Sequence, residues 1–192
     1  MMTKKIAILC LLLASASPIF AQNIFTAIQT NDIPGVRFLL NHGADLTAKD
    51  QNGDTPLLAA IRSKQDRPVC MLLQQTLNVD AKDRDGNTAI MLAASQNNAT
   101  MANMLLTYYP NLNTRNSQGA TALITAVNAG NTSIVKSLLE HGASTKIKDK
   151  QHKTAADYAQ NQNNADLLAL LNNTYTVTAA VRTTTAGAYV PY

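Results

Sequence analysis

The sequence is poor in the groups that most small-molecule and nucleic-acid chemistry needs. It has no Trp, 5% aromatic residues, 15% charged residues and two cysteines, Cys10 and Cys70. So few aromatics, with a formal charge of +4, give little ground for nucleic acid or an anionic membrane as the main partner. Asp and Glu are spread along the chain, not massed as an acidic tail. No phosphate-binding run of the G-x-x-x-x-G-K-[ST] kind is present. The leading apolar run, Ile6 to Ala14, is too short to span a bilayer.

What the first 21 residues do have is the order of an export signal. Lys4 and Lys5 precede that apolar run, and small residues follow it. Cleavage after Ala21 is expected, because the repeat described below begins almost at once; cleavage after Ala16 and an uncleaved anchor are the alternatives. Cys10 is not preceded by the small residue that lipid attachment favours. Removing Lys4 and Lys5 lowers the balance to +2, and removing Cys10 leaves Cys70 without a partner for an internal disulfide. The exported chain must then hold its fold by packing. A periplasmic location is expected, with secretion as the alternative.

Laid against itself at an offset of 33 residues, the chain brings Gly53, Gly86 and Gly119 into one column, with His152 next in line. Thr55, Thr88, Thr121 and Thr154 form a second column, Ala27, Ala60, Ala93, Ala126 and Ala159 a third, and Leu39, Leu72, Leu105, Leu138 and Leu171 a fourth. Within one unit Leu123, Ala126 and Val127 share a face of a short helix, and Thr121 is placed to cap it. Gly130 can then turn the chain with positive φ; Asn31, Lys64, Asn97 and Asn163 occupy the same place. A second helix carries Ile134, Val135, Leu138 and Leu139 and stops at Gly142, as its counterpart stops at Gly43. Such a pair leaves one face bare, and stacking neighbours covers it. Alanine fits where adjacent helices approach closely, and leucine fills the space between layers.

Thr55-Pro56-Leu57 followed by Ala60, Gly53 two residues earlier, and the closings His42-Gly43-Ala44-Asp45 and His141-Gly142-Ala143 together resemble the ankyrin repeat. The resemblance spans roughly residues 22 to 172. It implies an all-α solenoid of about five helix-turn-helix units joined by hairpin-like loops. Units are expected at about 22–52, 53–85, 86–118, 119–151 and 152–173, between a signal peptide (1–21) and a Thr/Ala-rich tail (174–192) that is loose or pairs as a strand. The chain departs from the family pattern at several places. Leu58, Met91 and Ile124 stand where the family often has His, so apolar contacts replace a hydrogen-bond network. Thr76 and Tyr109 replace the helix-ending Gly, and Tyr109 precedes Pro110, so those two turns are expected to deviate.

Catalysis needs an acid, base or nucleophile within reach of one another in a pocket, and no such constellation is legible. His42 and His141 sit three units apart and cannot share a metal ion; His152 is placed at a loop tip in solvent. Asp157 and Tyr158 are neighbours on a helix and point apart. Cys70 lies in the polar column of Arg37 and Lys136, partly exposed. No enzyme activity, cofactor or metal is expected. By resemblance, partner proteins touch the loop tips and the inner ends of the first helices, whose side chains are free of packing duties. The tips carry Gln51, Asn52, Asp54, Arg84, Asp85, Asn87, Gln118, Lys150 and Lys153, and the helix ends add Arg62, Gln96 and Asn128. A basic column of Lys49, Lys82, Arg115 and Lys148 points to an acidic partner surface or to a habit of the family. The expected function is therefore non-enzymatic protein binding by a monomer, with a secreted effector or a periplasmic stress-protection factor as alternatives. Tyr108 and Tyr109 on the convex side are the next candidates.

Overall fold

The computed structural model describes residues 23–172. The expected signal peptide (1–21), with its expected cleavage site, and the tail 174–192 therefore lie outside the described residues. Helices alternate in two rows. The first row comprises α1 (Ile24–Gln29), α3 (Pro56–Arg62), α5 (Ala89–Ser95), α7 (Ala122–Asn128) and α9 (Ala155–Asn161). The second comprises α2 (Ile33–Asn41), α4 (Asp66–Leu73), α6 (Ala99–Leu106), α8 (Thr132–Glu140) and α10 (165–172). α1, α3, α5 and α7 each pack on the helix that follows in sequence, and the first row packs along its length, α1 on α3, α3 on α5, α5 on α7 and α7 on α9. α2 meets α4 and α6 meets α8 in the second row. No strand is assigned among the described residues. This is the serial stack that the columns require.

The columns explain the packing. All five residues of the Ala column are 0% exposed, as close approach between first-row helices demands. Leu72, Leu105 and Leu138 are also 0% exposed, and Leu58, Met91 and Ile124 are 1–2% exposed, so the positions that departed from His are core. Asn31, Lys64, Asn97, Gly130 and Asn163 all take positive φ, between 52° and 69°, and turn the chain from one row to the other. Asp32, Asn98 and Asn131 then cap the second-row helices, accepting from the N–H of Gly35, Met101 and Ile134. Thr121 caps α7 as expected, but Thr55 and Thr88 make no side-chain cap and bury their hydroxyls without a partner.

The two aberrant turns differ from each other. Tyr109 adopts φ 51°, the same left-handed conformation as Gly43 and Gly142, so its turn keeps the family's hand against expectation. What it loses is a hydrogen bond. Ala44 and Ala143 donate back to Leu39 and Leu138, but Pro110 has no N–H, and Tyr108 reaches the Leu105 carbonyl instead. Thr76 does not take positive φ, so the second unit's turn is the one that departs.

At the last unit Thr154 and Asp157 form a reciprocal capping box at the start of α9. Hydrogen bonds from the Thr154 backbone and hydroxyl hold the Asp157 carboxyl below its ordinary range. Thr154→Ala is expected to cost about 1 kcal/mol. The loss should be read as faster amide exchange in 155–161 with little change in 89–106. Because the Asp157 pKa is depressed in the folded state, its contribution is present above the unfolded value and disappears as pH falls through that region. The variant should therefore match the parent more closely near pH 3 than at pH 7.

Candidate functional site

Between one second-row helix and the next first-row helix the chain makes a projecting finger, and four residues at the 33-residue interval build it: Asp50, Asp83, Asn116 and Asp149. Each receives a backbone bond from the glycine-column residue three positions on, at 2.9–3.1 Å, and donates its own N–H to the carbonyl four positions on, at 3.0 Å. The side chain ties off the same turn. Asp50 Oδ1 accepts from the N–H of Asn52 and Asp54 at 2.8 and 2.9 Å, Asn116 from Gln118 and Ala120 at 3.0 and 2.9 Å, and Asp149 from Gln151 and Lys153 at 2.8 and 3.0 Å. Asp83 accepts from Asn87 at 2.7 Å. These are Asx turns, in which a side-chain oxygen satisfies backbone donors that would otherwise need water. Fingers also join to one another. Ser117 N–H donates to Asp85 O at 2.8 Å and Lys150 N–H to Gln118 O at 2.9 Å.

The finger aspartates were not among the sequence candidates, although their column was visible. An acid in a loop reads as solvated unless its backbone bonding is considered. Burial raises the Asp149 carboxyl, but the Tyr158 hydroxyl, the two backbone amides and the Lys153 charge outweigh it and leave the pKa lowered. The bond to Asp149, with burial and its charge, raises the Tyr158 phenol in turn. Tyr158 thus serves the last finger and does not act with Asp157.

One candidate is misplaced by the sequence reading. Asp54 is not a solvated tip residue: its side chain is 1% exposed, as is that of Asp83. Arg62 lies between them, with Nε 2.6 Å from Asp54 Oδ2 and one terminal nitrogen 2.5 Å from Asp83 Oδ2. Asp54 turns inward because its carboxylate has this cation to meet, and Arg62 has a packing duty that ties the end of α3 to the fingers on either side of its helix pair. Burial raises the Asp54 pKa, opposed by the hydrogen bond and charge of Arg62 and reinforced by the charges of Asp50 and Asp83.

The remaining candidates divide between internal and free side chains. Asn87 donates to Asp83 at 3.1 Å and accepts from Asn116 at 2.8 Å. Lys49 Nζ bonds Lys82 O at 2.9 Å, and Arg115 Nε bonds Gly119 O at 3.0 Å, so half of the basic column staples fingers. Asn128 presents its carbonyl to Gln162, and Lys153 lies 5.5 Å from the Tyr158 ring centroid. Gln96 is part-buried, while Gln51, Asn52, Lys82, Arg84, Asp85, Gln118, Lys148 and Lys150 are exposed on one edge. Elsewhere, His152 is exposed, and Cys70 is exposed with Sγ 3.5 Å from Met104 Sδ. Among the described residues no cluster of His, Cys, Asp or Glu could hold a metal ion, and no helix is long and apolar enough to cross a membrane.

Two rows of short helices in single file, with rigid fingers on one edge, define a helical repeat array, a class that displays binding surface along its length. The family model for ankyrin repeats matches residues 24–116 and 90–180, and the chain belongs to the ankyrin-repeat family. That family's arrays are generic protein-interaction modules. Comparison with curated proteins returns no match.

Proposed function

We propose that this chain is exported and holds a partner protein with an acidic surface on its finger tips, in the periplasm. The observation that carries the reading is a division of labour along the finger edge. The turns are closed by Asp50, Asp83, Asn116 and Asp149. Lys82, Arg84 and Lys150 remain exposed, and among the described residues their side chains make no hydrogen bond or ion pair. The closed turns hold the backbone beneath these cations, so ordering on binding is confined to the side chains, and a row of like charge steers an anionic partner. The basic start, the apolar run, the small residues Ala14 to Ser17 and Ala21 at the expected cleavage point support export.

A photo-crosslinker at position 84, introduced in intact cells, identifies the trapped protein, and fractionation locates the complex. With that partner purified, the triple change Lys82→Glu, Arg84→Glu, Lys150→Glu should weaken binding about tenfold or more at low salt, with a smaller deficit at high salt. Arg62 is left intact in this test because its loss would disturb the fold. Unchanged affinity in the triple variant would move the site off the fingers, and recovery of the complex in another cell's cytosol would replace the periplasmic role by an effector role.

A further inference from the structure

Neighbouring fingers are tied to one another at the tip and at the base, except at the first junction. At the tips the N–H of Ser117 donates to Asp85 O at 2.8 Å and that of Lys150 to Gln118 O at 2.9 Å. At the base the N–H of Asn111 donates to Asp80 Oδ1 at 2.9 Å and that of Ser144 to Asn113 Oδ1 at 3.0 Å. Among the described residues the first junction has neither tie. Arg84 is the counterpart of Ser117 and Lys150, but its N–H does not bond Asn52 O. Asn78 is the counterpart of Asn111 and Ser144, and the acceptor column of Asp80 and Asn113 holds Thr47 there. The N–H and hydroxyl of Thr47 both turn to Asp45 Oδ1, at 2.8 and 2.7 Å. The spacing agrees. A Cβ on Gly119 would sit 2.9 Å from the next finger's amide nitrogen and one on Gly86 3.1 Å from it, against 3.4 Å at Gly53.

We propose that residues 45–53 form a hinged flap, while the three later fingers move as one plate. The base of the flap is pinned, because Arg62 holds Asp54 to Asp83 just beyond it. Its tip is held to the second finger by Lys49 Nζ on Lys82 O, at 2.9 Å. That bond is exposed and uses a long side chain, whose ordering costs rotamer freedom that a backbone bond does not. Among the described residues no finger precedes the flap, so nothing holds it from the other side. Its own turn stays closed by Asp50, so it swings as a unit and does not unravel. Lys82 and Arg84 stand on the second finger beside it, so the edge has one moving finger next to fixed cations. The hinge follows from this geometry whether or not the edge holds an acidic partner.

The test uses the full chain, read by amide exchange and backbone relaxation. Arg84, Ser117 and Lys150 are all exposed, so burial does not separate them. After correction for intrinsic rates, the Arg84 amide should exchange about fivefold or more faster than those of Ser117 and Lys150. Order parameters in 47–53 should fall below about 0.7, or the segment should show millisecond exchange, while 113–119 stays near about 0.85. Thr47→Asn supplies the missing acceptor. It should slow exchange at Asn78 about fivefold and raise the order of 47–53, with Asn111 and Ser144 unchanged. Lys49→Met should loosen 47–53 further and leave 113–119 at parental values. Equal protection of the three tip amides, or equal relaxation in the first and third fingers, would overturn the proposal. So would loosening by Lys49→Met that spreads into 113–119, which means that the fingers move together. Unchanged exchange at Asn78 in Thr47→Asn, with 122–140 protected as in the parent, would overturn it as well.

Discussion

Arg62→Ala is expected to destabilise the protein by about 2–3 kcal/mol, below the roughly 3–5 kcal/mol of a fully buried pair because Arg62 keeps 41% of its side chain in solvent. The substitution takes the cation from two carboxylates that are each 1% exposed; Asp83 keeps its bonds from Asn87, but Asp54 Oδ1 already has no hydrogen-bond partner among the described residues. The pH dependence has a definite sign. The folded pKa of Asp54 is raised, so its contribution is full below the unfolded value and is lost as pH rises through the folded one. Arg62 supplies the two influences that oppose burial. Without them the pKa rises further, and ionised Asp54 costs more. The difference between variant and parent should be largest at neutral pH and shrink at low pH, below the raised folded pKa of Asp54, where the carboxyl is protonated in both proteins. Denaturant unfolding at the two pH values measures it. Asp54→Asn in the Arg62→Ala background should recover part of the loss at pH 7 and little at low pH. A deficit that stays constant with pH would mean that Arg62 acts through the packing of its stem alone.

The Arg62 bridge also marks the limit of what the sequence could say. Repetition exposed whatever each unit must do alike. The turn column of Asn31, Lys64, Asn97, Gly130 and Asn163 is left-handed throughout, and the Ala column is sealed, because every junction imposes the same steric demand. Arg62 has Ser95, Asn128 and Asn161 in its column, so periodicity carries no information about it, and its second partner Asp83 is 21 residues away. The finger aspartates failed for a different reason. Their column was legible, but composition does not distinguish a carboxylate facing water from one accepting its own turn's amides. The Tyr109 turn was expected to deviate and does not: its backbone takes glycine's left-handed conformation, and what Pro110 disfavours at that residue is the right-handed helix.

Gly119→Ala is expected to cost about 2–4 kcal/mol, the sum of left-handed strain and forced overpacking. Gly119 has φ 79°, and a Cβ there would sit 2.9 Å from the Lys150 amide nitrogen and 3.1 Å from the Asp149 carbonyl carbon, both backbone atoms of the next finger. The neighbouring bond from Lys150 N–H to Gln118 O would have to open. Gly142 is the control. Its φ is 86°, but nothing lies within 4 Å of its Cβ position, so Gly142→Ala should cost only the conformational part, about 1–2 kcal/mol. The same geometry explains why the column closes with His152, which takes φ 62° with its side chain in solvent. Gly53, Gly86 and Gly119 each meet a following finger, and among the described residues no finger follows the one that carries His152. In a linear array the lost term belongs to one junction, so the damage should be polar. Amides of 155–172 should exchange faster in Gly119→Ala while those of 56–73 remain near parental values. Uniform acceleration along the chain would instead mean that the stack unfolds as one unit and that its junctions are not separable.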